Sequence, residues 1–376
     1  MKNPHFLHFP ISSPPGNLDS GDDIISRYGG NTGNLLFIEA LHRVIKHDAF
    51  APVMGFHPRK IIERGHDGLI IPAANWLNPN SDWGGLANRI ELSKLPCVMV
   101  GIGVQSEKIG NIPLITDGTK RLLKVVSERS KSISARGQFS AEVLNHYGVK
   151  NVEVTGCPSL LWKIDAPVSI KSPKPPGPSI TAYASRENNI AKVSSADTRS
   201  LISRYISRLS IENGYTFVAQ TEVHDITAAR FKSSTERYRL EYLKKAYQEL
   251  NEESLIEYLS KNLKFFTSAC DWIKFLKTQD FAFGTRLHGI IAALIAGTPA
   301  MLIYHDARTQ EMAQHLRIPN IPAETVLSKK MSALDIRHHF DPGEFNTRMD
   351  SYYSNFANFF AANDVATRLN YKLTEI

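Results

Sequence analysis

The stretch that decides the fold is FAFGTRLHGIIAALIAGTPAMLIYHD, residues 281–306. A short apolar run, FAFG, is followed by an apolar helical run, GIIAALIAG, and then by a second short apolar run, AMLIY. Strand, helix and strand in this order predict a parallel sheet that is covered by helices. Arg286 and His288 stand at the junction between the first strand and the helix, where two bulky polar side chains need an explanation.

The same alternation extends outward through the chain. The first half contains the predicted strands GLIIPAA, CVMVGIGVQ, SISAR and VEVTG, with the predicted helices NLLFIEALHRVIKH and QFSAEVLNHYG, the latter closed by Gly148. The second half contains the predicted strands SITAYAS, YTFVAQTEV and KFFTSA, with helices in SLISRYISRLSIENG, ERYRLEYLKKAYQEL and CDWIKFLKTQ. These patterns predict an α/β fold with two Rossmann-like domains that face each other across a cleft.

Length and proline content predict where the domains divide. A chain of 376 residues exceeds the size at which one hydrophobic core usually stops growing. The segment 166–179, APVSIKSPKPPGPS, carries five prolines and is the best predicted linker. We therefore expect an N-terminal domain at 1–165, a linker at 166–179 and a C-terminal domain at 180–342. A helix from residue 345 to about 369, within a C-terminal segment at 343–376, is expected to pack back across the seam.

Charge and cysteine content narrow the classes of function. The formal net charge is +7 and the sequence pI is about 9.1, which favours anionic partners. Lysine and arginine are spread along the chain without RNA-binding or zinc-finger motifs, so we expect no nucleic acid partner. The three cysteines stand far apart, which argues against a disulfide framework or a structural zinc site.

The sequence also predicts where the protein acts. The N-terminal residues lack the pattern of a signal peptide, and no run reaches the roughly 18 apolar residues of a membrane-spanning helix. A cytoplasmic location is therefore expected. Peripheral association with an acidic membrane surface stays compatible with the positive charge, and the oligomeric state is left open.

The junction at Arg286 and His288 is a candidate anion site. Ligands of parallel sheets lie beyond the carboxyl ends of the strands. If Thr285 caps the helix, both side chains fall in its first turn, beside free backbone N–H groups and the positive end of the helix dipole. A cation there costs about 0.3–1 kcal/mol, which a bound anion would offset. Two solvated surface side chains would explain the same pattern equally well.

Three blocks of the sequence resemble one family in the same order. GTRLHGIIAALIAGTPAMLIYHDAR is similar to the C-terminal motif of polysaccharide pyruvyl transferases, and GGNTGNLLFIEAL to their glycine-asparagine loop. SISARGQFSAEVLNHYGVKNVEVTGCPSLLW is similar to their strand–Arg–helix block. The resemblance spans about residues 29–319, and it implies a GT-B-like architecture with the acceptor on the N-terminal side and the donor anion on the C-terminal side.

The resemblance also implies a reaction and its residues. The enolpyruvyl group of phosphoenolpyruvate would be transferred to two hydroxyls of a sugar, free or lipid-linked, leaving a cyclic ketal and phosphate without any cofactor. Arg136 and Arg286 match the arginines that bind the donor, and bidentate contacts to phosphate and carboxylate suit arginine. Leu287 would contribute its backbone N–H, and His288 would be the general acid.

Further candidates stand in loops and at predicted strand ends. Asn31 and Asn34 of the glycine loop are expected to donate hydrogen bonds to a ligand. Asn75, Gln105 and Glu222 are candidate acceptor contacts, with Glu222 also a candidate base, although ordinary loop positions explain each of them as well. Without a third ligand at fixed spacing, QTEVHD does not predict a metal site.

Departures from the family motif leave alternatives open. Asn34 and Cys157 stand where the family often has aspartate, and the IIPAANWL segment around Asn75 replaces a glycine-rich strand end. A GT-B glycosyltransferase that uses a nucleotide sugar is one alternative, and a catalytically silent member of polysaccharide assembly is another. Asp306 is expected to cap the helix after it, and Arg308 to lie at the cleft edge.

Overall fold

The computed structural model describes residues 1–8, 20–47, 57–170, 177–230 and 236–369. Part of the predicted linker, residues 171–176, lies outside this description. The described residues form an α/β fold in which the paired strands of each sheet are parallel. The prediction of an α/β fold with parallel sheets is thereby confirmed.

The N-terminal unit is built on strands β1, β2 and β3, which pair in that order. A parallel bridge between Ile102 and Ala135 joins this sheet to the pair β4–β5. The elements are β1 (Pro4–Phe6), α1 (Gly21–Arg27), α2 (Asn34–Val44), α3 (Pro58–Glu63), β2 (Gly68–Pro72), α4 (Gly84–Ser93), β3 (Cys97–Val100), α5 (Asp117–Arg129), β4 (Ile133–Ala135), α6 (Gln138–His146), β5 (Val152–Val154) and a 3₁₀ helix (Pro158–Trp162).

The C-terminal unit contains a six-stranded sheet in the order β11-β10-β9-β6-β7-β8. Its elements are β6 (Ile180–Tyr183), α7 (Ile190–Val193), α8 (Thr198–Asn213), β7 (Thr216–Ala219), α9 (Val223–Arg230), α10 (Arg237–Tyr247), α11 (Glu252–Asn262), β8 (Leu263–Phe265), α12 (Ala269–Leu276), β9 (Phe281–Gly284), α13 (Leu287–Ala296), β10 (Ala300–Tyr304), α14 (Ala307–Leu316), β11 (Asn320–Pro322), α15 (Ala323–Ser328), α16 (Ala333–His338) and α17 (Gly343–Ala362).

Two elements end earlier than their patterns predict. Strand β3 stops at Val100 because Gly101 adopts φ 74°, a left-handed conformation that breaks the extended run. Helix α17 ends at Ala362 rather than near residue 369. The Oδ1 atom of Asn363, just beyond the helix, accepts hydrogen bonds from the backbone N–H groups of Lys131 and Ser132. That tertiary contact holds the chain end against the N-terminal unit.

The units are joined by contacts in both directions. Helix α17 reaches the N-terminal unit through the Tyr352 hydroxyl, which donates to the Cys157 carbonyl at 2.5 Å, and the Tyr353 hydroxyl, which donates to the Leu160 carbonyl at 2.7 Å. In the other direction, the Thr32 N–H of the glycine loop donates to a carbonyl after β7, at 3.2 Å. One buried apolar cluster accordingly contains side chains from both units.

The sheet order gathers several loops at one edge of the C-terminal unit. Gly284 at the end of β9 is in register with Tyr183 at the end of β6 and with Leu302 of β10. The loops that follow these three central strands therefore emerge side by side, facing the N-terminal unit. None of the helices in the described ranges combines the length and apolar character that a bilayer crossing requires.

Candidate active site

A small pocket of about 40 Å³ brings residues of both units together; we call it the arginine pocket. Most of the predicted site residues line it, with Gln105 and Glu222 as the exceptions. Its lining consists of Asn31, Asn34, Ala74, Asn75, Arg136, Gln220, Arg286, Leu287, His288 and Arg308.

Arg136 follows β4 and is buried, with 2% of its surface exposed. Its guanidinium group donates to the Gly101 carbonyl at 2.8 Å, to the Ala73 carbonyl at 3.3 Å and to Asn75 Oδ1 at 3.0 Å. All three acceptors are neutral, and no carboxylate within the described residues pairs with this guanidinium. The buried Glu311 carboxylate interacts with Arg136 electrostatically but forms no ion pair with it. A buried charge without a directly paired counterion is costly, so the pocket is suited to an anion.

Arg286 marks the start of α13, and here the prediction that Thr285 is the helix cap is wrong. Arg286 itself occupies the capping position with extended backbone angles, φ −89° and ψ 103°. The Thr285 hydroxyl instead accepts a hydrogen bond from the Ser185 N–H at 2.7 Å, because it is needed between the ends of β6 and β9. The Arg286 guanidinium donates to the Ala184 carbonyl at 3.1 Å and contacts Glu222.

Glu222 lies beneath Arg286 rather than in the pocket lining, so it does not occupy the place expected of an acceptor contact or base. It is fully buried and accepts hydrogen bonds from the Gln220 N–H at 2.8 Å, the Thr221 N–H at 3.0 Å and the Arg286 guanidinium. Burial alone would raise the pKa of Glu222, but the Arg286 and Arg186 charges and these N–H donors hold it below the usual value. Its carboxylate is therefore ionised, and it fixes the position of Arg286.

The first turn of α13 supplies backbone donors. Ile290 is the first residue whose N–H bonds within the helix, to the Arg286 carbonyl at 3.1 Å. The N–H groups of Leu287, His288 and Gly289 precede it and have no intrahelical acceptor. Leu287 and His288 both line the pocket, while the Leu287 side chain packs into the apolar core. This is the usual geometry of a helix terminus that binds an anion.

His288 lines the pocket with 9% of its surface exposed. Its Nε2 atom is 3.6 Å from Cys157 Sγ, and its ring lies 5.6 Å from the ring of Phe37, measured between centroids. Burial, and then the charges of Arg136 and Arg308, lower its pKa well below the usual value. The imidazole is therefore neutral near pH 7 unless an anion binds beside it.

Several buried histidines have lowered pKa values. We therefore expect mild acid to destabilise the protein at pH values where its carboxylates are still ionised. Burial is the main cause that lowers the pKa of His5, His305 and His315 to about 4. Below pH 6.5 the unfolded chain binds protons that the native histidines do not, so the free energy of unfolding falls by up to about 1.4 kcal/mol per pH unit for each. Urea unfolding between pH 7 and 5 measures this slope. His315→Gln should reduce the slope by one histidine's share, and an unchanged slope would contradict the assignment.

The glycine loop is held against His288 by close packing. A Cβ atom on Gly33 would lie 2.8 Å from Gln220 Oε1 and 2.9 Å from His288 Cβ, so a larger residue would displace the loop. Asn31 Oδ1 accepts a hydrogen bond from the Gly33 N–H at 2.8 Å, and Asn34 Nδ2 donates to the Tyr28 carbonyl at 3.0 Å. Both asparagines therefore shape the loop as well as lining the pocket.

Gln220 is a pocket residue that the sequence reasoning missed, and Arg308 lies deeper than the cleft edge where it was expected. The Gln220 Nε2 and Arg308 Nε atoms are shielded from solvent and have no hydrogen-bond partner within the described residues. Gln220 comes directly after β7, so its position beyond a carboxyl strand end was the available signal. The expectation that Asp306 caps α14 is confirmed, since its side chain accepts from the Thr309 N–H at 2.8 Å.

Gln105 lies in a larger opening of about 900 Å³, which we call the interdomain cleft. One wall carries Gln105 and Ser106 from the N-terminal unit, and the other carries Tyr304, His305 and Asp306 from the C-terminal unit. The Ala307 N–H donates to the Ser106 carbonyl at 3.2 Å, which ties the two walls together. Gln105 is thus separated from the arginine pocket but accessible to a larger ligand.

The QTEVHD cluster forms hydrogen bonds to protein groups. Asp225 pairs with Arg186 at 2.5 Å, and His224 Nε2 lies 2.9 Å from the Asn188 carbonyl. Within the part of the chain that the structure describes, no group of three or more His, Cys, Asp or Glu side chains could hold a metal ion.

Comparison with solved structures gives similarities at low identity. A Klebsiella pneumoniae protein described as uncharacterized has 12% identity and a TM-score of 0.37, covering 85% of this chain and 93% of its own. UDP-N-acetylglucosamine 2-epimerase from Rickettsia bellii has 13% identity and a TM-score of 0.41, covering 81% and 75%. Anabaena HepE, solved with UDP and glucose, has 11% identity and a TM-score of 0.43, covering 96% of both chains.

The sequence comparisons identify the family. No curated protein matches the chain. A family model described as "Polysaccharide pyruvyl transferase" matches residues 31–307, most of the chain, and this range contains every lining residue of the arginine pocket except Arg308. The chain therefore belongs to the polysaccharide pyruvyl transferase family.

Proposed function

We propose that this transferase moves the enolpyruvyl group of phosphoenolpyruvate onto hydroxyls of a sugar in a polysaccharide or its precursor, free or lipid-linked. The observation that carries the proposal is the arginine pocket. Arg136 from the N-terminal unit and Arg286, His288 and Arg308 from the C-terminal unit line the same small space. A compact donor with two anionic groups, phosphate and carboxylate, matches this set of cations.

The charges in the pocket explain why such a donor would be held. Arg286 is partly neutralised by Glu222, and Arg308 Nη2 lies 3.5 Å from Asp306 Oδ2, whereas Arg136 has only neutral acceptors. The helix N–H groups at Leu287 and His288 add donors without adding charge. One group of the donor would compensate Arg136, and the other would bridge Arg286, Arg308 and the helix terminus.

His288 is assigned the role of general acid. It would give a proton to the methylene carbon of the donor, which becomes the methyl group of the ketal, while positive character develops at the adjacent carbon that the sugar hydroxyl attacks. The neutral imidazole of the free protein must first gain that proton. An anionic donor beside it favours the charged imidazolium, so donor binding would itself prepare the acid.

Cys157 offers a direct test of this role. Its thiol contacts His288 Nε2 at 3.6 Å, at a place where a carboxylate would stabilise the imidazolium. Cys157→Asp is expected to raise the pKa of His288 and to move the alkaline limb of the kcat profile upward by about 1 pH unit or more. Cys157→Asn is the uncharged control. Identical profiles for the two variants would remove His288 as the titrating acid.

Ligand-dependent thermal melting, together with phosphate release, tests which donor the protein binds. A ligand that binds only the native state stabilises it by about 2.7 kcal/mol at 100 times its Kd. We expect phosphoenolpyruvate to raise the melting temperature of the protein, and Arg136→Met to abolish the rise. Arg121→Met, which removes the same charge from an exposed pair with Glu91, is the control. A rise with nucleotides alone would favour a nucleotide-sugar glycosyltransferase, and no rise with either would favour a non-catalytic role.

A further inference from the structure

His305 lines the interdomain cleft beside Asp306, whose Oδ2 atom lies 3.5 Å from Nη2 of Arg308 in the arginine pocket. It follows β10, and the register that pairs Leu302 with Gly284 carries the chain past the end of β9 beside Arg286. Its side chain is part of the cleft wall, next to Asp306 and opposite Gln105. A sugar bound in the cleft would therefore lie beside His305, on the side where Asp306 and Arg308 adjoin the arginine pocket.

The surroundings of the His305 imidazole are unusual for a structural histidine. Only 1% of the side chain is exposed, yet neither Nδ1 nor Nε2 has a hydrogen-bond partner within the described residues. The nearest acidic group is Asp306, whose Oδ2 lies 3.7 Å from Nε2, beyond hydrogen-bond distance. Buried polar atoms are normally paired, so two unpaired ring nitrogens in the wall of a cleft indicate a ligand group.

We propose that His305 accepts the proton of the attacking sugar hydroxyl. This inference rests on the proposed function and supplies the base that the reaction needs. As the hydroxyl oxygen forms its bond to the central carbon of the donor, its proton passes to His305 while His288 protonates the methylene carbon. The bond from that carbon to the phosphate oxygen then breaks, with both electrons leaving on phosphate.

The second hydroxyl attacks the same carbon and completes the ketal. Its proton leaves with phosphate as hydrogen phosphate, and the proton on His305 returns through solvent to restore His288. The two hydroxyl protons thus account for the new methyl hydrogen and for the protonated phosphate. No cofactor or redox partner is required.

Electrostatics around His305 favour a neutral imidazole that can become charged. Burial lowers its pKa, Asp306 opposes this change, and Arg308, Arg199 and Arg286 lower it further, giving a value of about 4. Donor binding would neutralise part of the arginine charge and make the ring more basic. Asp306 remains ionised, because Arg308 and the Thr309 donors outweigh its burial, and it would stabilise the imidazolium that forms.

The cleft also indicates the class of acceptor. Among its lining residues, Arg199 is paired with Glu187 and Asp306 with Arg308, so the other carboxylates and lysines are nearly balanced. This wall therefore has no cationic cluster to hold a polyphosphate chain, whereas hydroxyl groups can bond to carboxylates, amides and serines alike. A neutral saccharide portion therefore fits the space next to His305.

The test measures phosphate release from phosphoenolpyruvate with a panel of methyl glycosides whose hydroxyl pairs can close a five- or six-membered ketal. His305→Gln keeps a polar side chain without the basic nitrogen, and it is expected to lower kcat by about 10²-fold. Its Kd for phosphoenolpyruvate, from calorimetry, should stay within about threefold of the wild-type value, since His305 does not line the donor pocket. Free imidazole should restore part of the activity of His305→Ala.

His315→Gln is the matched control, because this histidine lies on the following helix with a shielded Nε2 and lines neither cavity. Wild-type kcat in His305→Gln would overturn the inference, as would a parallel loss of donor affinity and thermal stability without imidazole rescue. If the wild-type protein releases no phosphate with any glycoside, the proposed function fails and the inference falls with it. If both His305→Gln and His315→Gln retain turnover, only the role of His305 is refuted, and the proposed function stands.

Discussion

Replacing His288 with alanine is expected to lower kcat for phosphoenolpyruvate by about 10²–10⁴-fold, the usual contribution of a positioned general acid. The side chain lies in the wall of the arginine pocket, and protonation of the methylene carbon has no comparable donor among the lining side chains. Arg136 and Arg286 remain in place in this variant, so donor binding should persist. Steady-state phosphate release and calorimetry on the same preparation separate the two quantities.

Two further variants make the result decisive. His288→Gln retains a hydrogen-bonding side chain but cannot carry the proton, so it should be as inactive as the alanine variant. His315→Ala removes a histidine outside both cavities and should keep the wild-type kcat. Near-normal turnover in His288→Gln would exclude proton donation by this residue.

Replacing Asp225 with alanine is expected to destabilise the fold by about 3–5 kcal/mol, because it leaves the buried charge of Arg186 without its partner. The side chains of Arg186 and Asp225 are fully buried, and their Nη2 and Oδ1 atoms are 2.5 Å apart. The Tyr247 hydroxyl also donates to Asp225 Oδ1 at 2.5 Å, and the Arg186 guanidinium lies 4.9 Å from the centroid of the Phe217 ring. Without the carboxylate, this guanidinium would be left among aromatic rings.

Urea unfolding at pH 7 measures the loss. Asp117→Ala, which removes the carboxylate of an exposed pair with Lys120, should leave the stability nearly unchanged. The double variant Arg186→Met with Asp225→Leu should recover most of the stability, since it removes both charges. A loss in Asp225→Ala no larger than in Asp117→Ala would show that Arg186 finds another counterion.

Local chemistry was enough to predict much of the fold. Apolar runs of strand length alternate with amphipathic helical runs, and Gly148 adopts the left-handed conformation just beyond α6 that the sequence pattern indicates. Asp306 caps α14 for the same kind of reason, since a short acceptor side chain before a helix satisfies its free N–H groups. Such features depend on residues within a few positions of each other, and they can therefore be predicted from the sequence.

The arrangement of the site depends on contacts between distant segments. Glu222 looked available at a strand end, but its carboxylate is buried, where it accepts hydrogen bonds from the Arg286 guanidinium and from two backbone N–H groups. The Thr285 hydroxyl does not cap the helix, because it accepts a hydrogen bond from the N–H of Ser185, 100 residues away in the sequence. Gln220 stands outside the motif blocks, and His305 lies within one of them without an assigned role; the unpaired atoms of both emerge only when two sheets and the glycine loop are docked together.

By itself, then, the sequence determined the parallel α/β elements, the strand–helix junction that carries Arg286 and His288, and the family resemblance. Tertiary structure alone decided that Arg136 has only neutral partners, that Glu222 supports Arg286, and that His305 faces the cleft. The physical reason is the distance along the chain over which each feature is determined. Helix and strand periodicity are set by local backbone geometry, whereas the charge balance of a buried pocket is set by whichever side chains the packing of both units brings within a few ångströms.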